Sequence, residues 1–260
     1  MKLAHKVCKL AQPLMYRRAW RKVQRSVFRL PLGPLLANID QERLREIQRR
    51  YAGSQDEYAK YADVDRWLRV NRERVQDLKL HRSPPTRVLD LGCGAGFFLF
   101  ILKSLGFSVR GLDMDEFPLF DDMLNLFGIP LVVWTIAAFK RLPDLGQKFD
   151  WITAFSVKFN LYRPSQERWG EAEWDFFLRD LQQYLAPGGK IFFALNPHDY
   201  DAPELRDFFI RRGATVERER IFFENGLHFP PIPYAPAVSM ESRPFLSQQV
   251  GNHGLHGQHE

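Results

Sequence analysis

The chain has 260 residues, 45% of them hydrophobic and 26% charged, which is enough to bury one substantial core and argues against two domains of equal weight. Its longest charge-free stretch, 123 to 139, is broken by Asn125, Gly128 and Pro130, so it reads as a helix end, a turn and a buried strand and excludes a bilayer span. Two distant cysteines, Cys8 and Cys93, with no CxxC, exclude a disulfide framework and a cysteine zinc site, and fit a reducing, cytoplasmic compartment.

Nine basic residues and no acid precede Asp40, so against a total of +6 the rest of the chain carries −3. This arm, residues 1 to 39, has Leu3, Val7, Leu10 and Leu14 at helical spacing, an interruption at Pro13, and then Trp20, Val23 and Val27 on one face with arginines between them. The pattern suits a helix packed on the core, an interfacial helix on an anionic membrane, a nucleic-acid arm or a targeting peptide, although Ser26 is too little serine for a transit peptide.

Residues 40 to 83 read as a helical cap. Asp40 caps a helix over 41–51, Gly53 stops it, and Ser54 with Glu57 has the form of a capping box for the next. Tyr58, Tyr61, Val64 and Leu68 form an apolar stripe that resumes at Val75 and Leu78, and Ser83-Pro84-Pro85 closes the segment.

From 84 to 225, short β-rich runs alternate with helical ones, which predicts a doubly wound, mainly parallel α/β sheet with helices on both faces. Strands are expected near 87–91, 108–112, 131–135, 151–155 and 191–195, and a single sixth strand over 215–223. A helix carrying Trp174, Phe177, Leu178, Leu181 and Leu185 on its core face and another over 203–212 complete the alternation. Residues 226 to 260, with five prolines up to Pro244 and a Gly/His/Gln run, read as an irregular segment and tail. His253, His256 and His259 recur every third residue, but Gly251, Gly254 and Gly257 disfavour the helix that would align them, so no metal is assigned.

The most informative stretch runs from Val88 to Gly96, a buried-strand pattern ending in Asp90 that feeds glycines at 92, 94 and 96. Such a turn lets backbone approach a ligand, and the apolar run from Phe97 to Leu102 follows as a helix whose N–H groups face the same place. Phe97 stands where a dinucleotide fingerprint needs its third glycine, and no G-K-[ST] occurs.

With Phe107 to Asp113, Phe149 to Phe155 and the Leu185-Ala186-Pro187-Gly188-Gly189 turn following in order, the chain resembles the class I S-adenosylmethionine-dependent methyltransferases over 87–195, as a small bacterial-type enzyme of open substrate. The resemblance implies a Rossmann-like sheet with an antiparallel seventh strand, which this sequence signals poorly. It implies S-adenosyl-L-methionine as cofactor, held by Asp90, Gly92, Cys93, Gly94 and Gly96, with Asp113 on the ribose, Met114 beside it and Phe155 on the cleft wall. Many relatives place an acid after the third strand for adenine; here Trp134 to Phe139 offers none, leaving backbone at Ile136 and Ala137, with Trp134, Met114 or Phe139 as apolar contacts. Tyr58 or Tyr61 could reach the ligand from the cap.

The family places the acceptor beside the segments after the fourth and fifth strands, which nominates Ser156, Lys158, Asn160, Tyr162, Asn196, Pro197, His198 and Asp199. His198 and Tyr162 are the catalytic candidates, His198 by its ordinary pKa. No N/D-P-P-Y/F motif follows the fourth strand and no cysteine lies near the acceptor, which argues against exocyclic-amine and pyrimidine C5 chemistry. The expected function is methyl transfer to a small-molecule or cell-envelope metabolite, cytoplasmic or peripherally membrane-bound through residues 1 to 39. An RNA-modifying enzyme using the basic arm and a non-catalytic cofactor-binding scaffold are the alternatives.

Overall fold

The computed structural model describes residues 20 to 229 except 22, 28, 115, 160–167 and 197–202. Residues 20, 21 and 23–27 are helical, followed by a short α1 (Gly33–Ala37) and by α2 (Gln41–Tyr51). Asp40 caps α2, its carboxylate accepting from the N–H groups of Glu42 and Arg43 at 3.0 Å each. The next cap differs from the expected box. Ser54 Oγ accepts from Asp56 N, and Asp56 in turn caps a 3₁₀ helix, Glu57–Ala62, after which Asp63 caps α3 (Val64–Asp77). Two capping acids, Asp56 and Asp63, thus break the cap into a tight turn and a long helix, so the Tyr58–Leu68 stripe changes direction at Asp63.

The sheet has seven strands in the order β3-β2-β1-β4-β5-β7-β6. The strands are β1 (Arg87–Leu91), β2 (Ser108–Asp113), β3 (Leu131–Val133), β4 (Phe149–Phe155), β5 (Leu185–Ala194), β6 (Thr215–Glu217) and β7 (Arg220–Phe223). The first five run parallel; β7 lies antiparallel between β5 and β6. The expected sixth strand is therefore a hairpin. Arg218, at φ 56°, turns the chain without a glycine, and the second arm supplies the antiparallel strand. β5 also starts earlier than expected, at Leu185: the Pro187-Gly188-Gly189 turn is absorbed into the strand through a register shift opposite Phe149–Trp151.

Helices α4 (Phe97–Ser104) and α5 (Pro118–Phe127) cover one face of the sheet together with α1 to α3, around Leu68, Val75, Val88 and Leu99. Helices α6 (Glu171–Gln182) and α7 (Pro203–Arg211) cover the other, around Trp174, Phe177, Phe193 and Phe209. Phe97 to Leu102 are all buried, because α4 lies between the sheet and α3 and has no solvent face. Among the described residues no helix is long and apolar enough to cross a membrane.

Candidate active site

At the carboxyl ends of β1, β2, β3 and β4 lies a cavity of about 650 Å³, where a wound sheet forms its ligand crevice. The turn after β1 is built by backbone. Gly92 N and Cys93 N both donate to Leu112 O, at 2.7 and 3.3 Å, which ties this turn to the end of β2. Gly92 has φ 64°, and a Cβ there would lie 2.4 Å from Val157 Cγ2; Gly94 has φ 54°, and a Cβ there would only touch the Phe120 ring, at 3.7 Å. Gly96 serves a different end: a Cβ would lie 2.6 Å from Leu124 Cδ2, so it sits in the seam between α4 and α5, apart from the cavity wall.

Asp113, the last residue of β2, accepts Gly94 N–H through Oδ2 at 2.5 Å and Met114 N–H through Oδ1 at 2.8 Å. Each oxygen keeps a lone pair for a ligand, and burial raises the carboxyl pKa against those two donors. Asp90 faces the same cavity from β1. It is opposite Thr153 in the β1–β4 register, which puts both side chains on one face, and Thr153 Oγ1 donates to its Oδ1 at 2.6 Å. Burial pushes Asp90 up to about 7, opposed by the Thr153 hydroxyl and by Arg74. Cys93 is likewise pushed up by burial, with Asp113 and Asp90 adding to the effect, so its thiol stays protonated.

Arg74 is the residue that sequence reasoning missed. It reaches the cavity from α3, donates Nη1 to Asn71 Oδ1 at 2.9 Å and stands 4.6 Å from the Phe155 ring centroid. It forms no ion pair among the described residues, and burial lowers its pKa, with Asp90 opposing. The signal in the sequence was faint: Asn71 and Arg74 are polar positions beside the Leu68–Val75 core stripe, a placement that solvated helix faces share.

Aromatic side chains close one side. Tyr58 lies against Phe117 at 3.8 Å between centroids and edge-on to Phe120 at 5.5 Å, while Tyr61 stacks on Trp67 at 4.3 Å. Tyr58 and Tyr61 thus pack within the cap and line the cavity at once. On the β3 side, Trp134 and Ile136 line it, and the buried Trp134 indole N–H finds no acceptor among the described residues. Met114, Phe155, Ser156 and Lys158 complete the wall; Ala137 is not part of it, and Phe139 is 56% exposed and packs edge-on to Phe176. Asn196 Nδ2 donates to Ser156 O at 3.2 Å. Tyr162, His198, Asn160, Pro197, Asp199, Asp115 and the tail histidines lie outside the described residues.

A parallel sheet whose glycine turn and two strand-end carboxylates converge on one cavity defines a nucleoside-cofactor site of the Rossmann-like kind. S-adenosylmethionine fits these groups: Asp113 offers acceptors suited to vicinal hydroxyls, Gly94 leaves room for close approach, and the orphaned Trp134 donor can meet a ring nitrogen. Residues 89–193 match the methyltransferase domain family model. A ubiquinone biosynthesis O-methyltransferase of Pseudomonas entomophila (strain L48) is 26% identical over 175 residues, covering 64% of this chain and 68% of the relative. Its counterpart in Pseudomonas syringae pv. tomato is 28% identical over 119 residues, 44% and 47% of the two chains. Among solved structures, similarity extends to CalS10, an amino pentose methyltransferase from Micromonospora echinaspora bound to S-adenosylmethionine, at 23% identity, 59% and 56% coverage and TM-score 0.36. It extends also to the glycopeptide N-methyltransferase MtfA with the same cofactor, at 20% identity, 46% and 52% coverage and TM-score 0.35, so this chain spans about half the length of those structures. Residues 89–193 thus carry a methyltransferase domain, for which S-adenosylmethionine is the cofactor.

Proposed function

We propose that the protein transfers the methyl group to a small, partly apolar acceptor through a hydroxyl or amine. The observation that carries this reading is the wall of Tyr58, Tyr61, Trp67, Phe117 and Phe120, which gives the cofactor cavity an aromatic side suited to a flat or apolar body. The O-methyltransferase relatives, whose names concern ubiquinone biosynthesis, support a small-molecule acceptor.

S-adenosylmethionine supplies a sulfonium that makes its methyl group electrophilic, so the work left to the protein is binding, alignment and exclusion of water. Asp113 would take the ribose hydroxyls. Asp90 and Arg74, of opposite charge and side by side, would take the ammonium and carboxylate of the methionine end. Trp134, Ile136 and Met114 would enclose the adenine, with the indole N–H standing in for the missing acid. His198 and Tyr162, on the segments following β5 and β4, are the proposed acceptor-side residues, His198 as base.

The test has two stages. Calorimetry with the cofactor should give binding that Asp113→Ala weakens about ten-fold or more, the scale of a lost charge-assisted hydrogen-bond pair. Labelled cofactor incubated with cell extract should then mark a small organic product, with His198→Ala lowering kcat. A parent protein that binds no cofactor, or Asp113→Ala matching it, refutes the cofactor assignment; label appearing on protein or RNA refutes the acceptor class.

A further inference from the structure

A second cavity, of about 640 Å³, shares no lining residue with the cofactor cleft. It lies between the helical residues of the arm, α3 and the β6–β7 turn, and its charge is lopsided. Arg21, Arg25, Arg29, Arg72, Arg218 and Arg220 line it against Glu73, Glu217 and Glu219. Part of that charge is matched internally. Arg21 pairs with Glu217 at 2.7 Å, Arg25 with Asp77 at 2.7 Å and with Glu73, and Arg220 with Asp77 at 3.1 Å. Among the described residues the side chains of Arg29, Arg72 and Arg218 enter no ion pair or hydrogen bond, and they face one unpaired carboxylate, Glu219.

Arg72 makes the arrangement a site. It is 9% exposed, and its Nε meets no acceptor among the described residues. A guanidinium does not deprotonate to escape burial, so its unmet Nε–H carries a desolvation cost that a bound anion would offset. Burial, then Arg29 nearby, lowers its pKa, which is the mark of a cation surrounded by too little negative charge. Planar guanidinium forks match phosphate oxygens bidentately, and a surplus of two cationic groups matches a phosphate monoester dianion better than a single carboxylate. The volume is that of a small-ligand pocket and exceeds what a bare phosphate fills.

From this geometry we infer that the cavity is a binding site for a phosphate monoester carried on an organic body, with Arg72, Arg29 and Arg218 as its ligands. Two sources share that chemistry: a soluble phosphorylated metabolite and a phosphatidic headgroup. Trp20, Val23 and Val27 on the same arm helix are 63%, 50% and 67% exposed, which makes the lipid source a concrete arm of the test.

The experiment uses the full chain without cofactor, so its outcome is independent of the methyl-transfer reading. Glycerol 3-phosphate and inorganic phosphate are titrated calorimetrically into the parent, Arg72→Met and Arg29→Gln. Glycerol 3-phosphate is expected to bind the parent more tightly than phosphate does, and each variant to lose about ten-fold or more in affinity. Arg72→Met should also melt higher than the parent in ligand-free buffer, because it removes an unmatched buried charge; a merely structural arginine would do the reverse. If Arg72→Met does not fold, exposed Arg29 carries the comparison alone. Sedimentation with phosphatidic acid–phosphatidylcholine vesicles separates the sources: retention that glycerol 3-phosphate competes away assigns the headgroup, and binding without retention assigns the soluble ester. The proposal is overturned if neither probe binds, if both variants bind like the parent, or if the protein retains only RNA in a salt-dependent way that Arg72→Met leaves unchanged.

Discussion

Gly92 and Gly94 share a left-handed backbone and differ in what a methyl group would meet. At Gly92 an added Cβ collides with Val157 Cγ2 at 2.4 Å as well as demanding φ 64°, so Gly92→Ala must displace the Val157–Lys158 segment that walls the cavity. We expect it to lower stability by about 2 kcal/mol and to weaken cofactor binding with it. At Gly94 the nearest side-chain atom is 3.7 Å away, so Gly94→Ala carries the φ penalty alone, about 1 kcal/mol, yet places its methyl group against the Phe120 ring at the cavity wall and strains the turn whose N–H serves Asp113. Thermal melts and calorimetry on the two variants should therefore dissociate: Gly92→Ala loses more stability, Gly94→Ala loses affinity out of proportion to its melting point. Equal loss of both quantities in both variants would contradict the different roles. These glycines, Asp90 and Asp113 were legible in the sequence because a strand end followed by alternating glycines has few other physical uses. Gly96 was not, since a packing glycine in an α4–α5 seam looks the same on paper as one facing a ligand.

Among the elements, α3 joins the cap to the cleft. Its buried side carries Leu68 and Val75, both without exposed surface, and Leu68→Ala should cost about 3 kcal/mol of stability by the cavity it leaves. Beside Val75, Arg74→Met should leave the melting point at or above that of the parent, because the guanidinium is largely buried without an ion pair among the described residues, while raising the cofactor Kd about ten-fold. A melting point that falls with affinity unchanged would make Arg74 a structural residue of the cap. The parallel strands were readable as short β-branched and aromatic runs, and α2 as a run with a capping acid before it. The β6–β7 hairpin was not, because Thr215 to Phe223 contains no glycine, proline, asparagine or aspartate and its turn uses Arg218 at φ 56° where glycine or asparagine would have signalled it. The cleft-facing position of Arg74 was equally hidden: only the packing of α3 on α4 decides which polar residues beside an apolar stripe meet water and which meet a cavity.

At the scale of the whole molecule, the cofactor cleft concentrates buried acids whose protonation is tied to folding and to binding. Asp90 is raised from its ordinary 3.8 to about 7, chiefly by burial, and Asp113 is raised by the same cause. A carboxyl whose pKa is higher in the folded than in the unfolded chain contributes stability that is complete below the unfolded pKa and is lost as pH rises through the folded one. For Asp90 that window runs from about pH 4 to about pH 7 and is worth on the order of a few kcal/mol. Asp150 acts in the other direction: the Arg87 hydrogen bond lowers its pKa, and its contribution, present above the ordinary carboxylate range, is lost on acidification. That pair is partly solvent-exposed, at 43% and 30% of the two side chains, and solvent screening leaves it little to offset of the Asp90 effect. The ligand-free protein should accordingly lose melting temperature between pH 5.5 and 8. A cofactor that brings positive charge beside Asp90 favours its ionised form, so binding near pH 6 must release a proton, and the rise in melting temperature on saturation should widen as pH increases over the same range. Calorimetry at pH 6 in two buffers of different ionisation enthalpy reads the released proton directly, and Asp90→Asn should abolish both the release and the widening. A cofactor-induced shift that is the same at pH 5.5 and 8 in the parent protein would show that Asp90 is already ionised in the empty cleft, and that Arg74 compensates its charge more fully than the absence of an ion pair between them implies.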